Sequence, residues 1–308
     1  MKDQILAILR DKKAVVSGER LSARLGISRV AIWKHIQKLQ SLGYEIQPSA
    51  KGYRLNASPD TPFSWEFPQK THLVHYLERT ASTMDIAMDM ARKGAPGFSV
   101  VVAGVQENGR GRLERTWQSP SGGLYFTMVV RPDLPPMLSP RINFAASLVL
   151  ARVVEAVCGI EARVKWPNDL LVGEKKIAGM LSEMEAEADR VSFINIGIGI
   201  NVNNDPPSDV GYAASIRQLT GKNHSRIEIL SRFMDRFEER MAAGSLDTIM
   251  MEWKQQTATI GKDVIIETTR GTTRGKAVDV DDNGALILET DTGERRTVIY
   301  GDCFHQNE

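Results

Sequence analysis

Apolar residues at the start of the chain recur at helical spacing and then switch to strand alternation. Ile5, Leu6, Ile8 and Leu9 form one apolar stripe, which predicts an amphipathic first helix. Ser17 and Gly26 bracket a second, short helix over residues 18–25, with serine as N-cap and glycine at the C-terminal end. Ser28 opens a third, which runs to about residue 42 before Gly43. On that helix Ile32, Ile36 and Leu39 share a face at i, i+4 and i+7, and Val30, Lys34, Gln37 and Ser41 lie opposite, flanked by Trp33 and Lys38. A short helix, a tight turn at Gly26-Ile27 and a longer helix with a basic outer face make a helix-turn-helix pattern. Tyr44-Glu45-Ile46 and Tyr53-Arg54-Leu55, joined across Pro48 to Gly52, predict a small hairpin as its wing.

Residues 58–71 carry Pro59, Pro62 and Pro68 and read as a linker. Helical and strand periods then mix over residues 72–256. Helices are predicted near residues 84–93, over 142–157 and over 226–241, and strands over 99–104, 124–130, 162–165, 170–172, 177–183 and 193–202. The last strand contains Gly197-Ile198-Gly199-Ile200-Asn201, and glycine inside a strand marks a place where a ligand or another backbone comes close. Beyond Gly261, runs at 263–267, 273–280, 285–289 and 294–299 stand at hairpin spacing, with turn signals Asp282-Asn283-Gly284 and Asp291-Thr292-Gly293 between the later pairs. They predict a small β-barrel over 257–308, too small to hold much chemistry. The fold class is α+β: a winged helix-turn-helix over 1–57, the linker over 58–71, a central mixed α/β domain over 72–256, and the barrel.

Composition changes this picture in one respect. The chain has 308 residues and a formal net charge of +1, enough for a full-sized core with one or two satellites. Residues 1–55, however, hold eleven Lys and Arg against four Asp and Glu. A basic first module on a mildly acidic body points to nucleic acid as the partner of that module; the alternative is a basic domain with no polyanionic partner. Cys158 and Cys303 form no framework and no metal-ligand spacing, which fits a reducing cytosol. No charged-then-apolar leader opens the chain and no uncharged run approaches membrane-spanning length, so the expectation is a cytoplasmic protein with no membrane partner.

Four clusters carry candidate chemistry. In Gly109-Arg110-Gly111-Arg112, within residues 106–117, glycine admits close backbone approach and arginine offers a planar fork of donors. This describes either a loop that closes over an anion or a solvated basic loop. Ser82-Thr83 sits at a strand-to-helix junction, as a ligand contact or simply an N-cap. Lys165-Trp166-Pro167-Asn168-Asp169 sets cation, aromatic, amide and carboxylate together, though Pro and Asn-Asp also make an ordinary turn. Lys176 opens the run Lys176-Ile177-Ala178-Gly179, either as a functional cation or as a snorkelling surface lysine. The Gly197–Asn201 run is the fourth.

These clusters, in this order, resemble the biotin protein ligases, and with the amino-terminal helix-turn-helix the chain is similar to the family's bifunctional operon repressor/ligase members. Gly109-Arg110-Gly111-Arg112 matches the family's biotin-loop motif, and Lys165–Asp169, Lys176–Gly179 and Gly197–Asn203 match its other hallmarks. The resemblance covers the whole length and implies a class II synthetase-like ligase domain and an SH3-like terminal barrel. It implies that Ser82, Thr83 and Gln106 hydrogen-bond the ureido ring of biotin, with the Met84 backbone lining the pocket. Arg110, Gly111 and Arg112 would hold the ureido end, the carboxylate and the adenylate phosphate. Lys176 would contact both carboxylate and phosphate. Arg115, Trp117, Asn168 and Asn201 would take part in binding ATP or the adenylate, and Asp169 would assist the metal or the incoming amine. The catalytic set would be Lys176, Arg112 and Asp169. Biotin and ATP are the implied substrates; Mg²⁺ would arrive with ATP, with no separate metal site. The implied partners are the biotin carboxyl carrier protein of acetyl-CoA carboxylase, operator DNA of biotin genes, and a second copy of the chain when ligand is bound. Ser28, Arg29, Trp33 and Lys34 are the candidate DNA contacts, with Arg29 and Lys34 placed for phosphate.

Two positions depart from the family pattern. Met84 follows Ser82-Thr83 where asparagine is common, and Glu114 stands where the repressor-type loop usually has glycine. Three other readings share these features: a lipoate-type ligase of the same fold, a non-enzymatic biotin sensor, and a ligase whose winged helix no longer represses.

Overall fold

The structure, a computed structural model, describes residues 1–12, 14–206, 212–244, 246–269 and 271–306, which fall into two compact units, Met1–Thr71 and His72–Glu308. The first unit comprises helices α1 (Lys2–Lys12), α2 (Gly18–Leu25) and α3 (Arg29–Ser41), then strands β1 (Glu45–Ser49) and β2 (Gly52–Ala57). Ser17 Oγ accepts from Arg20 N–H and Ser28 Oγ from Ala31 N–H, so both predicted N-caps form. Gly26 adopts φ 67°, the left-handed conformation that lets the chain leave α2 without a Cβ clash. The stripe of α1 and the Ile32, Ile36, Leu39 face of α3 are buried together, which leaves the basic face of α3 in solvent. Strands β1 and β2 pair antiparallel, and Ser49 opposite Gly52 closes a tighter turn than expected, because Pro48 lies within the strand.

Residues 58–71 belong to the first unit, contrary to the expected free linker. Buried Phe63 and Phe67 anchor the segment, and Phe63 stacks on Trp65 at 4.5 Å. The Glu66 carboxylate is almost wholly buried and takes an ion pair from Arg10 at 2.9 Å together with a hydrogen bond from the Tyr44 hydroxyl. Trp65 Nε1–H donates to that same hydroxyl at 2.8 Å. Burial, then the neighbouring carboxylate, pushes the Tyr44 phenol well above its ordinary pKa. The prolines limit the segment's freedom, and the aromatic residues supply the area that fastens it.

The second unit contains β3 (Val74–Thr80), α4 (Thr83–Arg92), β4 (Val100–Gln106), β5 (Leu124–Val130), α5 (Pro140–Cys158), β6 (Arg163–Lys165), β7 (Asp169–Val172), β8 (Lys175–Glu187) and β9 (Arg190–Ile200). They are followed by α6 (Ile216–Thr220), α7 (Arg226–Ala242), α8 (Ile249–Gln256), β10 (Asp263–Thr268), β11 (Gly271–Val280), β12 (Leu286–Glu289), β13 (Arg295–Val298) and β14 (Asp302–His305). A seven-stranded sheet has the order β3-β4-β5-β9-β8-β7-β6, parallel only between β3 and β4. Successive strand residues face opposite sides. Val101, Val129 and Phe193 therefore meet Ala87 and Ala91 of α4 on one face. On the other, Phe126 packs edge-on against Phe233 of α7 at 5.4 Å. Both faces are covered, which accounts for the uninterrupted burial of β5, apolar but for Thr127.

Strands β10–β14 form a five-stranded antiparallel sheet of order β13-β12-β11-β10-β14. It is fastened to the seven-stranded sheet through Trp166, whose Nε1–H donates to Gly284 O at 2.9 Å and whose backbone N–H donates to Thr259 Oγ1 at 3.0 Å. The pattern of apolar residues did not predict α6, α8 or β14, each eight residues or fewer.

Glu66→Ala removes the acceptor shared by Arg10 and Tyr44, and should destabilise the first unit by about 1–3 kcal/mol. Hydrogen exchange of the buried amides of α1 in the full chain measures that loss; unchanged protection would show that the node contributes nothing.

Candidate active site

The site is built on the β8–β9 pair. Gly179 of β8 lies opposite Gly199 of β9, and Gly197 lies opposite Leu181. A Cβ on Gly199 would stand 2.3 Å from Trp117 Nε1, and one on Gly197 would stand 2.8 Å from Met84 Sδ. The glycine alternation therefore lowers the sheet surface so that an indole and a thioether can rest on it. Above it opens a cavity of about 320 Å³ lined by all thirteen candidate residues of this unit, from Ser82 to Asn201.

One wall is the start of α4. Ser82 caps the helix by accepting from Met84 N–H at 3.3 Å. Gln106, at the end of β4, accepts with Oε1 from Thr83 N–H at 2.8 Å and from Thr83 Oγ1 at 3.0 Å, and donates with Nε2 to Ser119 Oγ at 2.9 Å. These contacts fix which way the Gln106 amide points. Thr83 Oγ1 also meets Thr127 Oγ1 at 2.8 Å. The result is a buried, uncharged set of donors and acceptors suited to a polar but neutral group.

The second wall is the loop after β4. Trp117 N–H donates to Gly109 O at 2.8 Å and Gly111 N–H to Arg115 O at 2.7 Å, which makes the segment a hairpin-like finger. Its arginines point to different partners. Arg110 pairs with Asp85 of α4 at 3.0 Å and with Glu183 of β8 at 3.3 Å. Arg112 donates to Asn168 Oδ1 at 3.3 Å, and burial lowers its guanidinium pKa from the ordinary value, opposed by nearby Asp302 and Asp169; an arginine remains charged nonetheless. Arg115 pairs with Asp302 of β14 at 2.7 Å and lies 5.7 Å from the Phe304 ring centroid. At the fingertip Leu113 and Glu114 take φ 50° and 62°, a conformation that favours glycine. The departure at Glu114 is thus a matter of backbone strain, of roughly 1 kcal/mol.

The third wall is the β6–β7–β8 hairpin. Asn168 Nδ2 donates to Met180 O, and Met180 N–H donates back to Asn168 O at 2.9 Å. Lys176 Nζ lies 2.7 Å from Asp169 Oδ1 and 5.4 Å from the centroid of the Trp117 ring. Asn201 is buried at the end of β9, where its Oδ1 accepts from Asn204 Nδ2 at 2.9 Å. Among the described lining residues, five cations (Arg110, Arg112, Arg115, Lys165, Lys176) face two carboxylates, Asp169 and Asp302. The excess of positive charge at one end and the neutral hydrogen-bonding set at the other fit a ligand with a polar neutral head and an anionic tail.

Sequence reasoning missed Ser119, Thr127, Asp302 and Phe304. Thr127 alone left a signal, a polar residue within an apolar strand. Asp302 and Phe304 correct the expectation that the C-terminal segment holds little chemistry, because they line the cavity and engage Arg115. On the first unit, Ser28, Arg29, Trp33 and Lys34 are all exposed along the start of α3, although the Ser28 hydroxyl is already used as a cap.

Residues 76–201 match the model of the biotin/lipoate A/B protein ligase family, residues 259–306 that of the biotin protein ligase C-terminal domain, and residues 2–54 a helix-turn-helix domain. The bifunctional ligase/repressor BirA of Bacillus subtilis is 37% identical, over 96% of this chain and 95% of that protein. The chain belongs to the biotin protein ligase family. The Escherichia coli bifunctional ligase/repressor BirA is 29% identical over 89% of this chain and 88% of its own length. Among solved structures, biotin protein ligase from Aquifex aeolicus in complex with biotin and ATP superposes with a TM-score of 0.64 at 26% identity, covering 75% of this chain and 97% of that one. The fold is α+β, with a helix-turn-helix domain in the N-terminal part of the sequence and a β-sheet domain in its C-terminal part.

Because Glu114 holds a left-handed conformation, Glu114→Gly should slow amide exchange across residues 109–117, whereas Glu114→Ala should not. Equal effects of the two would exclude backbone strain as the reason glycine is favoured there.

Proposed function

We propose that this protein is an ATP-dependent biotin protein ligase that also acts as a biotin-responsive repressor. It forms biotinyl-5′-AMP, transfers biotin to a lysine of a biotin carboxyl carrier protein, and with the adenylate bound represses biotin biosynthesis genes. The observation that carries the reading is the single cavity with a neutral ureido-type subsite at Ser82, Thr83 and Gln106 and a cationic end at Arg112 and Lys176. A lipoate-type ligase needs no such cyclic-urea recognition, and both relatives above are named as bifunctional ligase/repressors.

In the first step a biotin carboxylate oxygen attacks the α-phosphorus of ATP, the bond to the β-phosphate oxygen breaks, and pyrophosphate leaves. Two unit anions brought to about 4 Å repel by about 4 kcal/mol at an effective dielectric near 20. Lys176 and Arg112 offset that repulsion and hold the charge that grows on the phosphate oxygens. For Lys176 this means exchanging Asp169 for the incoming anions. Arg110, Gly111 and Arg115 close the finger over the adenylate, Met84 lines the ring pocket, Trp117 packs near adenine, and Asn168 and Asn201 bind the nucleotide. In the second step the carrier lysine amine attacks the acyl carbon and AMP departs; no enzyme nucleophile is needed because the anhydride is already activated. Asp169, next to Lys176, orients that amine. Among the described residues no three His, Cys, Asp or Glu side chains gather as a metal site, and both cavity carboxylates already face cations. A Mg²⁺ arriving with ATP would be held chiefly by the triphosphate and would supply neutralisation of phosphate charge.

The repressor reading adds a winged helix-turn-helix over 1–57, in which β1 and β2 act as the wing, and an SH3-like barrel for β10–β14 on a class II synthetase-like body, with domain limits near residues 72, 256 and 257. Two adenylate-bound copies pair, and Arg29 and Lys34 of each α3 contact operator phosphates while Ser28 and Trp33 approach the bases. Among the described residues no helix is long and apolar enough to cross a membrane, and the setting proposed is the cytoplasm.

Lys176→Ala should lower biotin-dependent pyrophosphate release by about 10²–10³-fold with an unchanged melting temperature; turnover near wild type would remove Lys176 from the mechanism. Parallel assays with lipoate should show no comparable release. In gel shifts with biotin-operator DNA, binding should require biotin and ATP together and weaken in Arg29→Ala/Lys34→Ala. Absence of any shift would confine the protein to its ligase role.

A further inference from the structure

The odd-numbered residues of β9 carry a sequence of loads. Gly199 lies beneath Trp117 and Gly197 beneath Met84. The next position on that face is Asn195, fully buried, with Nδ2 at 3.9 Å from Met88 Sδ and with no hydrogen-bond partner for Oδ1 among the described residues. Met84 and Met88 are one helical turn apart on α4, so the two thioethers occupy the same helix face. Asn195 pairs in register with Val129 and Glu183 on neighbouring strands. Val129 belongs to the apolar layer of Ala87, Ala91, Val101 and Phe193, with Met88 packed against it. A carbonyl left unpaired in such a layer is unfavourable, and the apolar neighbours give no structural reason for an amide there.

We infer that Met84 is a specificity-determining residue that closes the ring end of the biotin pocket, and that Asn195 is the polar end of a further subsite behind it. Met84 is buried yet lines the cavity, and its sulfur rests on the glycine that ends the open floor. Methionine is unbranched and repacks readily, so it seals an irregular gap without rigidly defining it. The ligand class that would use the extended pocket is a biotin analogue enlarged at its bicyclic ring by a small group bearing a hydrogen-bond donor. The natural ligand, lacking that group, stops at Met84. This inference rests on the biotin ligase reading.

The test uses the full-length protein, ATP, and three acids: biotin, a ring-methylated analogue and a ring-hydroxymethylated analogue. Met84→Ala should raise the kcat/KM ratio of each analogue to biotin by about 10- to 200-fold over wild type, the range expected for a pocket altered by a methylene or so. Adding Asn195→Leu should preserve the gain for the methyl analogue and abolish it for the hydroxymethyl analogue. If the ratios do not change in Met84→Ala, Met84 does not close the pocket; if Asn195→Leu leaves the hydroxymethyl gain intact, Asn195 is not its partner. Melting curves accompany each variant, and Met84→Val gives a smaller enlargement should alanine unfold the protein. Failure of the wild-type protein to release pyrophosphate with biotin would sink the ligase reading instead.

Discussion

Everything in the second unit is arranged around a strip of the β8–β9 pair that has no side chains on one face. Gly179, Gly197 and Gly199 lower the sheet surface by the depth of a side chain, and Met84 and Trp117 settle into the space. A single methyl group at Gly199 would collide with the indole, and at Gly197 with the thioether. Overpacking of that kind costs about 1–3 kcal/mol. The strip also fixes the order of the site, because period-two alternation presents residues 195, 197 and 199 to the same side. The polar wall at Gln106 and the cations of the finger then have a common floor to face.

Charge is organised around that floor by pairing. Arg110, Arg115 and Lys176 each hold a carboxylate, from α4 and β8, from β14 and from β7 respectively. The Arg110 pairs are exposed and contribute little to stability, whereas the Lys176–Asp169 pair is largely buried; all of them keep cationic side chains aimed at the cavity and exchangeable for phosphate. Arg112 differs, since its acceptor among the described residues is the Asn168 amide oxygen and not a carboxylate. An anion entering the cavity meets that guanidinium without first displacing a carboxylate from it by hydrogen-bond exchange.

In the first unit the equivalent constraint is the buried Glu66 carboxylate. It binds Arg10 of α1 and the Tyr44 hydroxyl before β1, and thereby makes residues 58–71 part of a folded module. A proline-bearing stretch with aromatic residues is ambiguous on composition, since proline suggests a spacer and aromatic residues suggest burial. Burial prevailed because Phe63, Trp65 and Phe67 offer more apolar area than a solvated spacer would leave exposed.

The local patterns were enough for the helices of the first unit, with both serine caps and the Gly26 stop, for the long helices α5 and α7, and for most strands. Caps, glycine stops and hydrophobic periods act between residues close in sequence, so they can be read without the fold. The candidate residues of the second unit were likewise legible, because glycine, arginine and lysine stood together in short motifs. What they converge on was not. The neighbours Ser119, Thr127, Asp302 and Phe304 and the surroundings of the Asn195 amide oxygen depend on contacts between segments far apart in the chain. The sequence by itself determined which residue types were available and which segments would be helix or strand; only the tertiary structure decided which of them share a cavity, since strand order and register are set by packing both sheet faces at once.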